Sequence, residues 1–251
     1  MTRLSLPALA ASLCFALPLS AQALDISAMS DEERDAFRAE IRAYLLDNPQ
    51  VIMEAVAVLE ERDQAAQVQA DVDLIKTNSD ALFNDAASWS GGNPDGDVTL
   101  VEFMDYRCGF CRRAFDEVEQ LIDIDDNIRI VIKEFPILGE ESELSSRFAI
   151  ATLQLVGDEA YKSVHDSLIT FTGPMNETSL SRIADTLGLD AQPILDHMNS
   201  EAVTAVITDN RNLAQRMQIS GTPSFVMGDQ MLRGYLPLDG LLEVAEKVRA
   251  N

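Results

Sequence analysis

Residues 102–113 read EFMDYRCGFCRR and put two cysteines, Cys108 and Cys111, three positions apart. The apolar, β-branched run VTLVEFM at 98–104 just upstream reads as a buried strand. From 108 to about 122 the pattern turns helical, with Phe110, Phe115, Val118 and Leu121 available for packing. A cysteine that opens a helix meets free backbone N–H groups and a partial positive charge, which favour thiolate over thiol. A second cysteine one turn later lies on the same face and can attack a mixed disulfide at the first sulfur. Cys108 is therefore expected to be exposed and attacking, and Cys111 more buried and resolving. A purely structural bridge between them would close so small a loop that it stabilises the fold weakly. A closed zinc site needs four ligands. His165 and His197, the only histidines, fall in predicted helices without ligand spacing, so no metal or other cofactor is expected. Two-coordinate copper(I) on the thiolates stays open as an alternative, because soft ligands suit it.

The first 23 residues set the compartment. A short basic start, an apolar run from Leu4 to Leu19 and the small-x-small triplet Ala21-Gln22-Ala23 read as a secretory signal peptide cleaved after Ala23. Cys14 leaves with it, so the exported chain holds only Cys108 and Cys111. Export, to the periplasm on this reading, places the pair where disulfides persist. The net charge of −23 disfavours nucleic acid and anionic lipid as partners.

Residues 24–90 read as helical. Ser30 and Glu33 form a capping box, and Phe37, Ile41, Tyr44 and Leu45 recur at helical spacing. Asn48-Pro49 ends that helix and starts another, with Asn48 as N-cap. The segment EERDQAAQVQADVD at 60–73 has strong helix formers and a thin apolar seam. It is read as an exposed stalk or as a helix that pairs with a second copy of the chain. The turn formers at 90–96 (SGGNPDG) mark the expected domain boundary.

Residues 91–251 alternate: strand, helix, a second strand at 128–134, a helical block at about 141–218, two short runs around Gly228-Asp229, and a last helix from Pro237. Removing the block leaves β-α-β followed by β-β-α, a thioredoxin fold with an inserted helical domain. The fold class is α/β, preceded by an all-helical segment. Gly221-Thr222-Pro223 enters the third strand of that scheme. A proline fits there if the Thr222–Pro223 bond is cis and the turn faces the cysteines.

Together, GNPDGDVTLVEFMDYRCGFC and the downstream GTPSF resemble the DsbA family of exported thiol-disulfide oxidoreductases. The likeness covers about 92–251 and accounts for the helical insert. IRAYLLDNPQVIMEAV is similar to the amino-terminal region of ScsC-like and Com1-like members, some of which assemble as trimers through it. The resemblance implies a redox-active Cys108–Cys111 disulfide, exported protein clients with thiols or disulfides, and a membrane redox partner that recycles the pair. It implies that Glu102 is a buried acid beneath the cysteines that relays the Cys111 proton, with Lys133 pairing with it across the sheet. It also implies that the Thr222 backbone, before cis-Pro223, docks an extended client segment. Where DsbA resembles Cys-Pro-His-Cys, this chain has Gly109-Phe110, and Arg107, Arg112 and Arg113 are expected to compensate electrostatically. The Gly-Phe dipeptide and the Thr before proline favour an isomerase or reductase. A dithiol oxidase, an ScsC-type copper(I) protein and a holdase chaperone built on the helical segment are the alternatives.

Overall fold

The computed structural model describes residues 26–250; the expected signal peptide, with Cys14, lies outside them. It falls into two compact units that meet between Glu60 and Glu61.

In the first unit, a 3-10 turn at Ile26–Ala28 precedes helix α1, Asp31–Asp47. The capping box forms: Ser30 Oγ accepts from Glu33 N at 3.3 Å, and Glu33 Oε2 accepts from Ser30 N at 2.9 Å. The Asn48 carbonyl accepts from Val51 N at 3.1 Å at the start of the next helix, but its side chain serves the helix before it. Its N–H and its Nδ2 both donate to the Tyr44 carbonyl, closing α1, and α2 begins at Gln50. This unit leaves Phe37, Ile41, Tyr44, Leu46, Ile52, Met53 and Leu59 exposed.

The second unit starts inside α2, Gln50–Thr77, and not at the turn cluster near 90. Ile75 from α2 and Leu82 from α3, Ser79–Phe83, are buried with Val101, Phe103 and Val131 of the sheet. The apolar seam of 60–73 is thin, but Leu74, Ile75 and Leu82 beyond it belong to the sheet's core. Residues 61–90 are therefore part of this unit, a correction to the boundary expected from sequence.

The sheet has five strands: β1 Trp89–Gly92, β2 Val98–Met104, β3 Ile128–Glu134, β4 Ser224–Met227 and β5 Gln230–Arg233. Their order is β1-β3-β2-β4-β5; β2 and β3 are parallel and every other pair is antiparallel. β1 occupies what the sequence presents as a turn. Trp89 fixes it by stacking on Tyr161 at 5.5 Å and donating Nε1–H to the Asp158 carbonyl. An edge strand tolerates the glycines that follow. Gly92 has φ +68°, and a side chain there would collide with the Ile128 carbonyl oxygen.

Helix α4, Gly109–Ile124, connects the parallel strands. The insert comprises α5 Glu140–Leu155, α6 Asp158–Thr170, α7 Glu177–Thr186, α8 Ala191–His197 and α9 Glu201–Arg216. Helix α10, Leu238–Ala250, closes the chain. Strand alternation divides the core in two. Leu100 and Met104 of β2 and Ile130 and Ile132 of β3 meet α4, the insert and α10 on one face. Val101, Phe103 and Val131 meet the end of α2, α3 and the end of α9 on the other. Among the described residues no helix is long and apolar enough to cross a membrane.

Candidate active site

Cys108 is the N-cap of α4, with extended backbone (φ −75°, ψ 118°). It ends the turn after β2, where its N–H donates to the Asp105 carbonyl at 3.1 Å. The Asp105 carboxylate secures that turn from within: it is fully buried and accepts from the N–H groups of Arg107, Ile137 and Leu138 at 2.8, 2.8 and 3.1 Å. Three N–H donors satisfy a buried carboxylate that would otherwise be costly. Sequence reading missed Asp105, whose only linear signal is its place three residues before the first cysteine.

The two cysteines are free thiols here. Cys108 is 7% exposed and Cys111 1%, so the first cysteine is the more accessible but lies deeper than expected. The Thr222–Pro223 bond is cis, and the Cys108 thiol donates to the Thr222 carbonyl at 3.2 Å. The sheet therefore brings Cys108, Cys111, Thr222 and Pro223 together from segments over a hundred residues apart.

Bonding to the carbonyl favours the protonated thiol, so the acidity of Cys108 has other causes. Its thiol is pulled down to about 5, chiefly by a hydrogen bond from the Cys111 thiol. Burial opposes this, while a side-chain hydrogen bond from Thr222 and the N–H groups of Cys111 and Phe110 assist. Cys111 moves the other way. Burial pushes its thiol far up, and its bond to Cys108 and the nearby Glu102 carboxyl push the same way. One thiolate and one thiol side by side is the charge state that disulfide exchange requires.

The flanking arginines act differently from the expectation. Arg112 donates to the carbonyls of Tyr106 and Phe171 at 3.0 and 2.6 Å. Arg107 donates to the Phe171 and Gly173 carbonyls and pairs with Glu141 at 2.9 Å. Both guanidinium groups hold the loop after α6 against the cysteine turn. Arg113 lies over the rings of Phe110 and Tyr235, at 5.3 and 5.4 Å, and Phe110, two residues after Cys108, stays 54% exposed.

Glu102 is 5% exposed and, among the described residues, its carboxyl makes no hydrogen bond or ion pair. Burial pushes its carboxyl up to about 8, with Glu119, Glu134 and Cys108 adding to the shift. Lys133 does not pair with it. In the β2–β3 register Glu102 lies opposite Ile132, and Lys133 lies opposite Phe103 on the other face of the sheet. There the fully buried ammonium donates to Asp85 Oδ2 at 2.6 Å. One position of strand parity separates the expected pair from the observed one.

Residues 99–245 match the DSBA-like thioredoxin domain. The chain belongs to this family. Residues 33–66 additionally match the copper resistance protein ScsC N-terminal domain. Among solved structures, a thioredoxin-like oxidoreductase from Silicibacter pomeroyi is 42% identical; the match covers 68% of this chain and 98% of that one, with a TM-score of 0.65. Salmonella enterica Typhimurium BcfH is 27% identical over 87% of this chain and 96% of its own, with a TM-score of 0.72. A curated relative, the Na(+)/H(+) antiporter NhaA 1 of Salinispora arenicola, is 26% identical over 60% of this chain. The chain spans only 23% of that antiporter's length.

Proposed function

We propose that the protein is an exported thiol-disulfide oxidoreductase acting on protein clients in the periplasm. The observation that carries this reading is the split between an acidic, more accessible Cys108 and a buried, protonated Cys111 at the start of one helix. The Cys108 thiolate attacks a client disulfide, forming a mixed disulfide and releasing one client thiolate. Glu102, as carboxylate, takes the Cys111 proton; the Cys111 sulfur then attacks Cys108, closing the Cys108–Cys111 disulfide and releasing the second client thiol. The reverse sequence oxidises a client dithiol, and a membrane redox partner resets the pair. An extended client segment adds to the backbone at Thr222, before cis-Pro223, and the exposed Phe110, Ile137 and Leu138 offer apolar contact nearby.

The favoured direction is isomerisation or reduction, because residues 31–60 leave an apolar surface open that suits association with further copies of the chain. Several cysteine pairs in one assembly can then work on one misfolded client. Oxidase activity is the second reading, favoured by the acidity of Cys108, since a stabilised thiolate makes the reduced form the preferred one. Insulin reduction, scrambled-ribonuclease refolding and oxidation of a dithiol peptide separate the two; inactivity in all three would sink both. Assembly is tested by light scattering on residues 24–251 against 61–251. The longer chain is expected as an oligomer and the shorter as a folded monomer. A monomeric longer chain would remove the reason for preferring isomerisation. Deletion as far as 88 is expected to unfold the protein, because Ile75 and Leu82 go with it.

A further inference from the structure

A second buried carboxyl lies on the same face of the sheet as Glu102. Glu134 ends β3 opposite Met104 of β2, so it shares the sheet face of Ile132 and Glu102. Two residues along and one strand over, its Cα lies about 8 Å from that of Glu102 by strand geometry. It is 3% exposed, yet its oxygens are well supplied. Oε1 accepts from Tyr106 at 2.8 Å and from Tyr161 at 2.6 Å, and Oε2 accepts from Ser146 at 2.7 Å. Tyr106 stands two residues before Cys108, and its hydroxyl also meets His165 Nδ1 at 3.0 Å. Three hydroxyls on a buried carboxyl stabilise its charged form, and Glu102 has no such help. Two like charges this close on one face of a dry sheet oppose each other.

We propose that Glu134 is a positioning residue of the redox site, which ties the cysteine turn down through Tyr106 and governs, by its charge, when Glu102 accepts the Cys111 proton. This deepens the role given above to Glu102 and rests on it. Above neutral pH an ionised Glu134 keeps Glu102 protonated for longer, so the resolving step waits for higher pH. The groups facing Glu134 are Tyr106 and Asp105 from the turn, Glu102 from β2, Ser146 from α5, and Tyr161 and His165 from α6, with Lys162 acting on His165. Burial holds Glu134 up at about 7 and the His165 imidazole down at about 3, so across the neutral range the carboxyls change charge and His165 does not.

The test is the rate at which Cys111 displaces glutathione from a preformed Cys108–glutathione mixed disulfide, measured against pH. Wild type should show an inflection near 8, the value at which burial holds Glu102. Glu134→Gln keeps the acceptor for the tyrosines and removes the charge, and should lower that inflection by about one pH unit. Ser146→Ala removes one donor to the carboxylate, so it should move the inflection the same way by less, and it guards against a folding failure of the first variant. Glu102→Gln should abolish the inflection. A profile unmoved in both Glu134→Gln and Ser146→Ala, with Glu102→Gln flat, overturns the proposal and leaves the Glu102 relay standing. An inflection that survives Glu102→Gln overturns the relay itself. A change in rate without a shift along the pH axis marks a merely structural role for Glu134.

Discussion

A Cys111→Ser protein should capture client thiols and fail to release them. The Cys108 sulfur keeps its place at the start of α4, its contact with Thr222 and the N–H groups of Phe110 and Cys111, so attack on a disulfide proceeds. The resolving sulfur is gone, and escape depends on free thiol from solution. An oriented intramolecular nucleophile has an effective concentration far above any millimolar thiol pool, so release should slow by at least about a thousandfold. Intact-mass measurement after mixing with oxidised glutathione should show a stable adduct on Cys108. Release at the wild-type rate would mean that Cys111 is not the resolving residue. Serine retains an O–H donor and alanine does not. The dominant influence on Cys108 is the bond from Cys111, so Cys111→Ala should raise the pH of Cys108 alkylation further than Cys111→Ser does.

Asp85→Ala should strongly destabilise the far face of the sheet. The Lys133 side chain is fully buried there, and among the described residues Asp85 is the one hydrogen-bond partner of its ammonium. Burial pushes the Lys133 amine below its ordinary value, and Asp85 draws it back. Removing the carboxylate leaves an uncompensated buried charge, which costs about 3 kcal/mol or more. In a domain of this size that is a fall in Tm of about 9 °C. Lys133→Met should cost less, because the Asp85 side chain is 28% exposed and rehydrates. The double variant should resemble Lys133→Met alone, since no unpaired charge is left. A cavity of about 390 Å³ lined by Asp80, Asp209 and Arg216 borders the pair. If Asp85→Ala costs under about 1 kcal/mol, water from that cavity has replaced the carboxylate and the pair is not a structural requirement.

Much of the catalytic unit can be read along the chain because its signals are local. Strand periodicity ends where the α4 pattern begins, and Cys108 sits at that join. Thr222-Pro223 marks itself by a proline in a place that strands rarely tolerate. The misreadings share a different cause: each turns on a partner far away in sequence. Trp89 makes β1 a strand through Tyr161 and Asp158, about seventy residues on. Linear position pairs Lys133 with Glu102, whereas the register places them on opposite faces. The arginines beside the motif look like electrostatic support, and only the folded loop at Phe171 and Gly173 shows where their donors go. The boundary at 60 is hidden because one unbroken helix carries the chain across it.

The bidentate pair between Arg233 and Asp71, at 2.7 and 2.8 Å, bears on how the sheet avoids pairing with the clients proposed for it. β5 is a short edge strand, and Arg233 at its end is held by a residue of α2, while its Met231 packs with Ile75. An open strand edge invites any extended chain to pair with it, and repeated pairing is how aggregation begins. Under the proposed function the protein meets that hazard constantly. With β5 short and pinned by a helix, that edge of the sheet offers an incoming chain little to pair with, and under the proposed function the chain is taken up instead at the Thr222 backbone, where covalent exchange limits how long it stays.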